Sequence, residues 1–357
     1  MISEVLDENM TKISIQKRVV FSLISFFFIL FTIASGHLIM VFLDHIDQSV
    51  SKVYKVRVGV NARIFSDLPI EELINNRINS SKSIEGQELL RRKLDEYQKT
   101  GGFPVSMLPV SKFLVIETIL FFVFGLLLIE ITIFQKSEIS QTIIGVFSGL
   151  LLWTGVEYSL IIASRIFGIA KDIRVIDGKI TGVYGEYQLL KHTWGILLLL
   201  FFFLLYSENS RCNFFVFFKK NLKLTRGPVI SGKIDNYGPR VSFFFATITW
   251  FFYVVLLLAY DKDIFGVYSW FTYSVFFISF AFTGFLFLKL IKQPTKAKMI
   301  RYAIPTALVL WNDIEILAKW NIFKEPWLIL RPENFVIFLG GLIIGSILII
   351  KELRKER

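Results

Sequence analysis

Long apolar runs alternate with polar segments along the whole chain. Most of the runs are roughly 17–25 residues long, the length that an α-helix needs to cross a bilayer. They cover residues 19–43, 113–134, 141–166, 193–206, 241–260, 268–290, 302–318 and 334–350. This pattern predicts an all-α polytopic membrane protein with about eight transmembrane helices. The run 193–206 is only just long enough for a span.

The polar segment 44–111 separates the first two runs, and its positive and negative charges nearly balance. Its periodicity predicts helices at 69–74 and 85–98. Because the segment is small for an independent core, we expect a small extracytoplasmic segment that packs onto the membrane domain or onto a partner. Residues 173–180 contain an Asp-Gly turn between two strand-like stretches, which predicts a short β-hairpin.

Basic residues concentrate in alternate loops of the chain. Residues 207–242 hold seven basic and two acidic residues, and a second basic loop covers 292–301. Because short cytoplasmic loops carry an excess of Lys and Arg, this distribution predicts a multi-pass protein of the plasma (inner) membrane. Both termini, with the tails 1–18 and 351–357, are then cytoplasmic. The segment 44–111, the hairpin and a Trp-rich loop at 319–333 are then outside.

The formal net charge of +11 follows from these loops, and no nucleic-acid-binding motif accompanies it. The expected partners are therefore the lipid bilayer, with anionic lipids at the cytoplasmic face, and no nucleic acid. Residues 214–220 are predicted to lie on the inner leaflet, with aromatic side chains in lipid and lysines at phosphates. The single cysteine, Cys212, excludes an internal disulfide, and the three histidines lack metal-ligand spacing. No metal site and no cofactor are predicted.

A Trp and a Glu four residues apart occur in two of the apolar runs. Trp153 and Glu157 share one helix face in the third run, and Trp311 and Glu315 share one in the seventh. Aligning the two motifs also aligns the preceding runs, which suggests two parallel three-helix units, as in many transporters. A chance match in a Leu-rich background is the alternative explanation.

Ionisable residues inside apolar runs are costly, and they often mark a substrate or ion pathway. Glu157 lies 16 residues after Gln141, which is about 24 Å along a helix and places it in the outer half of the membrane. Asp313 and Glu315, two residues apart, are expected on nearly opposite faces. The candidate pathway residues are Glu157, Asp313, Glu315, Trp153, Trp311, Arg165 and Lys319. The alternative is that the carboxylates form structural hydrogen bonds or ion pairs, with Lys319 paired to Glu315.

A second acidic group, Asp44 and Asp47, follows the first run directly. This architecture resembles that of membrane glycosyltransferases that use lipid-linked sugars, which place acidic residues in the first outer loop. The resemblance implies that Asp44 and Asp47 are catalytic or metal-binding groups. A solvated, acidic helix end explains the same residues.

Three functions therefore remain open from the sequence. The first is a permease or ion-coupled carrier that uses buried carboxylates. The second is a structural or accessory subunit of a larger membrane complex, or a homo-oligomer. The third is an envelope enzyme that acts on a lipid-linked sugar or a lipid.

Overall fold

The structure, a computed structural model, describes residues 15–50, 63–64, 69–81, 83–103, 105–176, 178–206, 219, 221–222, 236–261 and 264–354. The helices are α1 (Ile15–Val50), α2 (Ile70–Ser80), α3 (Ile84–Thr100), α4 (Lys112–Ile133), α5 (Glu138–Ile166), α6 (Glu186–Lys191), α7 (Trp194–Tyr206), α8 (Gly238–Tyr260), α9 (Trp270–Ile291), α10 (Lys296–Lys319) and α11 (Pro332–Arg354). A 3₁₀ turn, Pro326–Leu328, precedes α11. The strands are β1 (Arg63–Ile64), β2 (Ser106–Met107), β3 (Ile169–Ile176) and β4 (Lys179–Tyr184).

Six helices in these ranges are long and apolar enough to cross a bilayer: α1, α4, α5, α8, α9 and α11. Each coincides with one of the predicted apolar runs. Hydroxyl side chains begin several of the bundle's helices, for example Ser111, which accepts a hydrogen bond from the Leu114 amide at 3.0 Å at the start of α4. The coarse prediction of a mainly helical protein with several apolar helices of membrane-spanning length is therefore confirmed.

The two remaining predicted spans, α7 and α10, differ from these six. The 13 residues of α7 extend only about 20 Å. The helix α10 begins at Lys296, earlier than predicted, so that Pro305 lies inside it rather than in its first turn. Asn312 and Asp313 are buried in α10. Because other helices enclose α10, it can carry polar residues that a lipid-facing helix cannot. The count of eight spans stays a prediction.

A four-stranded sheet joins the two segments that were expected outside the membrane. Its strand order is β1-β3-β4-β2, with β3 and β4 antiparallel and each short outer strand parallel to its neighbour. The hairpin prediction is confirmed, and the segment 44–111, expected to pack on the membrane domain or on a partner, packs mainly on the hairpin. One apolar cluster, which includes Ile74 and Leu90 of α2 and α3 and Ile173 of β3, unites them. The all-α prediction is thus wrong for this α/β unit.

The helix ends define two ends of the bundle. At the sheet end, Asp47 of α1 contacts Ser111 at the start of α4 and Arg165 at the end of α5. Phe42 of α1 packs there against Phe335 near the start of α11, with the ring centroids 5.8 Å apart. At the opposite end, Lys296 of α10 donates to the Glu352 carbonyl at 2.9 Å, and Arg301 pairs with Glu138 at 2.6 Å. The largest apolar cluster lies between these ends and centres on α1 and α10.

Several sequence predictions fall outside the described residues. They concern most of the tail 1–18, most of the basic loop 207–235 with the inner-leaflet segment and Cys212, the hairpin residue Asp177, and the last three residues. The first helix also continues past the predicted boundary at 43, through Asp44 and Asp47 to Val50.

Candidate functional site

Glu157 of α5 is enclosed by protein near the sheet end of the bundle. Only 3% of the surface of Glu157 is exposed to solvent. The Tyr187 hydroxyl donates a hydrogen bond to Glu157 Oε1 at 3.2 Å. The second oxygen, Oε2, is buried and makes no hydrogen bond of normal geometry among the described residues, although the indole of Trp153, one turn earlier on α5, is a weak donor to the carboxylate. A buried carboxylate oxygen without a strong donor is costly, so this atom is a candidate for binding a proton or a cation.

The helix that carries Glu157, α5, packs closely on α8. A Cβ on Gly145 would lie 2.7 Å from the Gly238 carbonyl oxygen, and a Cβ on Gly149 would lie 2.7 Å from the Ser242 carbonyl oxygen. The small-xxx-small pattern in α5 therefore brings the two backbones together, as expected for such a pair in a membrane helix.

The short helix α6 covers Glu157 from the sheet side. It carries Tyr187, and its last residue, Lys191, forms an ion pair with Asp261 at the end of α8. Directly after α6, Thr193 accepts a hydrogen bond from the Trp250 indole at 2.7 Å. These two contacts to α8 hold Tyr187 in place over the carboxylate.

Four rings from four helices form a continuous aromatic stack. In order they are Tyr187 of α6, Tyr253 of α8, His37 of α1 and Trp311 of α10. The successive ring centroids are 6.3, 6.0 and 5.4 Å apart, with interplanar angles of 14°, 13° and 26°. Trp153 also contacts Tyr253, at 5.4 Å. The two Trp residues of the sequence motifs thus lie on either side of the His37–Tyr253 pair.

Both nitrogens of His37 have polar partners. Nδ1 lies 3.0 Å from the Ile33 carbonyl oxygen, and Nε2 contacts the Tyr253 hydroxyl. A carbonyl oxygen only accepts, so Nδ1 carries the hydrogen. In the neutral ring Nε2 is then the acceptor, and the Tyr253 hydroxyl is the donor. The neighbours of His37 therefore select one tautomer.

Glu315 lies at the other end of the aromatic stack. The Trp311 indole donates to Glu315 Oε1 at 2.7 Å, across one turn of α10. The expected ion pair with Lys319 is not found among the described residues. Lys319 is exposed instead, and its ammonium group lies 5.9 Å from the ring centroid of Tyr260. The stack thus has a carboxylate hydrogen-bonded to each of its terminal rings.

A cavity of about 20 Å³ lies between α1, α5 and α8, and both His37 and Glu157 line it. A cavity of this size has room for about one water molecule. Its other walls are mainly the apolar parts of Ile33, Met40, Leu150 and Phe245. Such walls do not supply the several oxygen ligands that a Ca²⁺ or Mg²⁺ ion needs.

Glu186, the first residue of α6, adds a third carboxyl group beside the site. Burial raises the pKa of Glu186 to about 7, while its own backbone N–H and Lys171 act in the opposite direction. Burial likewise raises the pKa of Tyr187 well above its usual value, so the hydroxyl stays a neutral donor to Glu157.

Asp313, a predicted pathway residue, faces away from this cluster. It accepts a hydrogen bond from Ser279 of α9, and its other oxygen, Oδ2, is buried without a partner among the described residues. Asp313 and Glu315 therefore point in different directions, as their spacing predicts. Asp313 joins α9 to α10 rather than contributing to the Glu157 site.

Arg165 and Asp47 form a separate, fully buried ion pair at the sheet end. Arg165 Nη2 lies 2.5 Å from Asp47 Oδ2, and neither side chain is exposed. Ser111 donates to the other oxygen of Asp47, and Arg165 Nη1 donates to the Pro109 carbonyl at 2.8 Å. The pair therefore connects α1, α5 and the start of α4. Arg165, a predicted pathway residue, therefore belongs to this ion pair rather than to the Glu157 site.

Asp44 is half-buried and accepts a hydrogen bond from Gln48 at 2.6 Å, one turn further along α1. Among the described residues, no cluster of three or more His, Cys, Asp or Glu side chains has a geometry that could hold a metal ion. The acidic group Asp44 and Asp47 is thus divided between a partly exposed residue and a residue held in an ion pair.

The sequence identified Glu157, Trp153, Trp311 and Glu315, and the structure brings these four around one site. Sequence reasoning missed His37, Tyr187, Tyr253 and Glu186. The position of His37 inside an apolar run was a usable signal, because a histidine there needs polar partners. Tyr187 and Tyr253 gave no comparable signal, since their role depends on contacts between helices distant in sequence.

Comparison of the chain with protein-family models, with curated proteins and with solved structures found no match. The functional argument therefore depends on the site itself.

Proposed function

We propose that the protein is an ion-coupled membrane carrier in which Glu157 binds and releases the coupling ion, a proton. The observation that carries this proposal is the buried, unpartnered Oε2 of Glu157 beside a cavity that His37 also lines. An ionised carboxylate in this place is costly, and a bound proton removes the cost. Asp313 also has a buried oxygen without a partner among the described residues, so the cavity shared with His37 is what distinguishes Glu157.

A proton fits the site better than a metal cation does. The cavity is small and its walls are mainly apolar, whereas the neighbours of Glu157 are groups that donate or accept protons, Tyr187 and His37. Histidine and carboxyl groups are common members of proton relays in membrane proteins.

The proposed orientation follows from the charges of the loops. With the basic loops and both termini in the cytoplasm, the α/β unit lies outside and the Glu157 site lies in the outer half of the membrane. Anionic lipids of the inner leaflet then contact the basic face at the opposite end of the bundle.

The experiment is proton entry into liposomes that contain the purified protein. A pH gradient is imposed across vesicles loaded with a pH-sensitive dye, and valinomycin with potassium balances the charge. We expect the wild type to acidify the vesicles faster than protein-free liposomes. In Glu157→Gln, which keeps the side-chain size but cannot release a proton, we expect the added rate to fall at least tenfold.

Glu130→Gln is the matched control. Glu130 is an exposed residue of another membrane helix, α4, and the substitution makes the same chemical change. We expect Glu130→Gln to retain the wild-type rate. If Glu157→Gln and Glu130→Gln both conduct like the wild type, or if the wild type adds no rate, then the proposal is overturned.

The enzyme alternative receives less support from the geometry. One oxygen of Asp47 contacts Arg165 and the other accepts from Ser111, so neither is directed at a substrate. The subunit alternative would gain support from a stoichiometric partner that copurifies in mild detergent and remains bound in native mass spectrometry.

A further inference from the structure

We infer that His37 is the second proton-binding group of this site, and that Tyr253 transfers the proton to and from it. The inference rests on the proposed function, since it assigns the group with which Glu157 exchanges its proton. It concerns two residues that no sequence motif contains.

The first step is the position of His37. It lies on α1, whereas Glu157 lies on α5, and the two side chains line the same cavity. The cavity has room for one water molecule. Because its walls offer few polar atoms, water in it is transient, and it can link the two groups without occupying a permanent site.

The second step is the orientation of the imidazole. Nδ1 donates to the Ile33 carbonyl at 3.0 Å, which leaves Nε2 as the basic atom. Nε2 accepts from the Tyr253 hydroxyl. The face of Trp311 packs on the other side of the imidazole, with the ring centroids 5.4 Å apart and the ring planes at 26°. These contacts fix the direction in which Nε2 points.

The third step is the connection to Glu157. Tyr253 stacks on Tyr187, whose hydroxyl donates to Glu157 Oε1. It also contacts Trp153, which lies one turn before Glu157 on α5. Tyr253 is thus the ring that contacts both the Glu157 group and His37.

The transfer can be written with all protons accounted for. In the proposed transfer, the carboxyl group of Glu157 gives its proton, through one water that bridges from the cavity, to the hydroxyl oxygen of Tyr253, which contacts the cavity-lining His37. The hydroxyl hydrogen of Tyr253 passes to Nε2 of His37. Tyr253 ends as it began, Glu157 is left as a carboxylate and His37 becomes an imidazolium. Only O–H and N–H bonds form and break.

The test uses Tyr253→Phe, which removes the hydroxyl and keeps the ring of the stack. In the liposome assay we expect its proton rate to fall at least tenfold, with a thermal unfolding midpoint close to that of the wild type. The matched control is Tyr260→Phe on the same helix, because the Tyr260 hydroxyl is buried without a hydrogen-bond partner among the described residues. We expect Tyr260→Phe to conduct like the wild type.

A second readout does not depend on transport. The chain has only three histidines, so ¹⁵N-histidine NMR of the full-length protein in nanodiscs gives few signals, and His37→Gln assigns the one from His37. We expect Tyr253→Phe to shift the His37 Nε2 resonance and Tyr260→Phe to leave it unchanged. A merely structural tyrosine would not combine this shift with a lost proton rate.

The outcomes separate the inference from the proposed function. If Glu157→Gln abolishes the proton rate but Tyr253→Phe conducts like the wild type, then the relay is overturned and the carrier proposal stands. An unshifted His37 resonance in Tyr253→Phe also overturns the relay. A wild type without proton flux overturns both.

Discussion

At the scale of single residues, the same residue type plays different roles in this bundle. Asp47 is fully buried in an ion pair with Arg165, whereas Glu157 is buried with one oxygen unpartnered. Both are carboxylates in or next to apolar runs, so the sequence cannot separate them. The separation comes from their partners. Asp47 has a cation and a hydroxyl donor, while Glu157 has the Tyr187 hydroxyl and only a weak indole donor, Trp153, among the described residues.

The structural role of Asp47 leads to a stability prediction. Removing one partner of a buried ion pair leaves the other charge uncompensated, which typically costs about 3–5 kcal/mol. We expect Asp47→Asn to lower the free energy of unfolding by about this amount in mixed detergent micelles. Asp44→Asn, at a partly exposed position with a neighbouring Gln48 donor, should cost much less.

A double variant shows whether the two residues act as a pair. Because removing Arg165 also removes the uncompensated charge, Asp47→Asn with Arg165→Gln should lose less stability than the sum of the single variants. Strictly additive losses, or an Asp47→Asn variant as stable as Asp44→Asn, would contradict the assigned role.

At the scale of secondary-structure elements, α6 shows how a six-residue helix can enclose a site. Its Tyr187 contacts Glu157 and its Lys191 contacts the end of α8. This packing partly buries Glu186, in the first turn of α6, and burial is unfavourable for an ionised carboxylate. The helix is too short to be stable alone, so its position depends on these side-chain contacts.

Glu186 predicts that stability depends on pH. Its pKa rises from 4.5 to about 7 on folding, so between these values the folded state binds the proton more tightly than the unfolded state. Its contribution to stability is therefore full below about pH 4.5 and is lost as the pH rises through about 7. We expect the thermal unfolding midpoint of the wild type to decrease as the pH is raised from about 5 to about 8. In Glu186→Gln we expect a smaller decrease over the same range.

The control for this measurement is Glu71→Gln, because Glu71 is an exposed residue of α2. Its unfolding midpoint should follow the wild-type curve over the same pH range. A Glu186→Gln curve that coincides with the wild-type curve would show that Glu186 is not the group responsible.

At the scale of the whole molecule, the sequence predicted the bundle better than it predicted the α/β unit. Apolar runs indicate membrane helices directly, because length and composition are enough to recognise them. The outer strands β1 and β2 have two residues each and pair with strands far away in sequence, so no local pattern identifies them. The sequence predicted the enclosed helix α10 less clearly than the other membrane helices, because its polar residues weaken its apolar pattern.

The same limit applies to the site. The two Trp-Glu motifs were visible because each lies within one helix. Their convergence on His37 and Tyr253 was not visible, since it requires the packing of α1 and α8 between α5 and α10. The two motifs lie in the second helices of two helical hairpins, α4–α5 and α9–α10, and the internal repeat stays a prediction.

The sheet gives a sharp prediction for membrane topology. In a Cys212→Ser background, we expect a cysteine at Gln98 in α3 to react with a membrane-impermeant maleimide on intact cells. A cysteine at Lys292, between α9 and α10, should react only after the cells are made permeable. Both positions are exposed and lie in segments at opposite ends of the bundle. The reverse labelling pattern would invert the proposed orientation.

The measurement that tests the central claim most directly is the initial rate of proton entry into liposomes, compared between the wild type and Glu157→Gln at equal protein content. We predict a rate above that of empty liposomes for the wild type, and a rate at least tenfold smaller for the variant. Equal rates in the two proteins would contradict the assignment of Glu157 as the proton-carrying group.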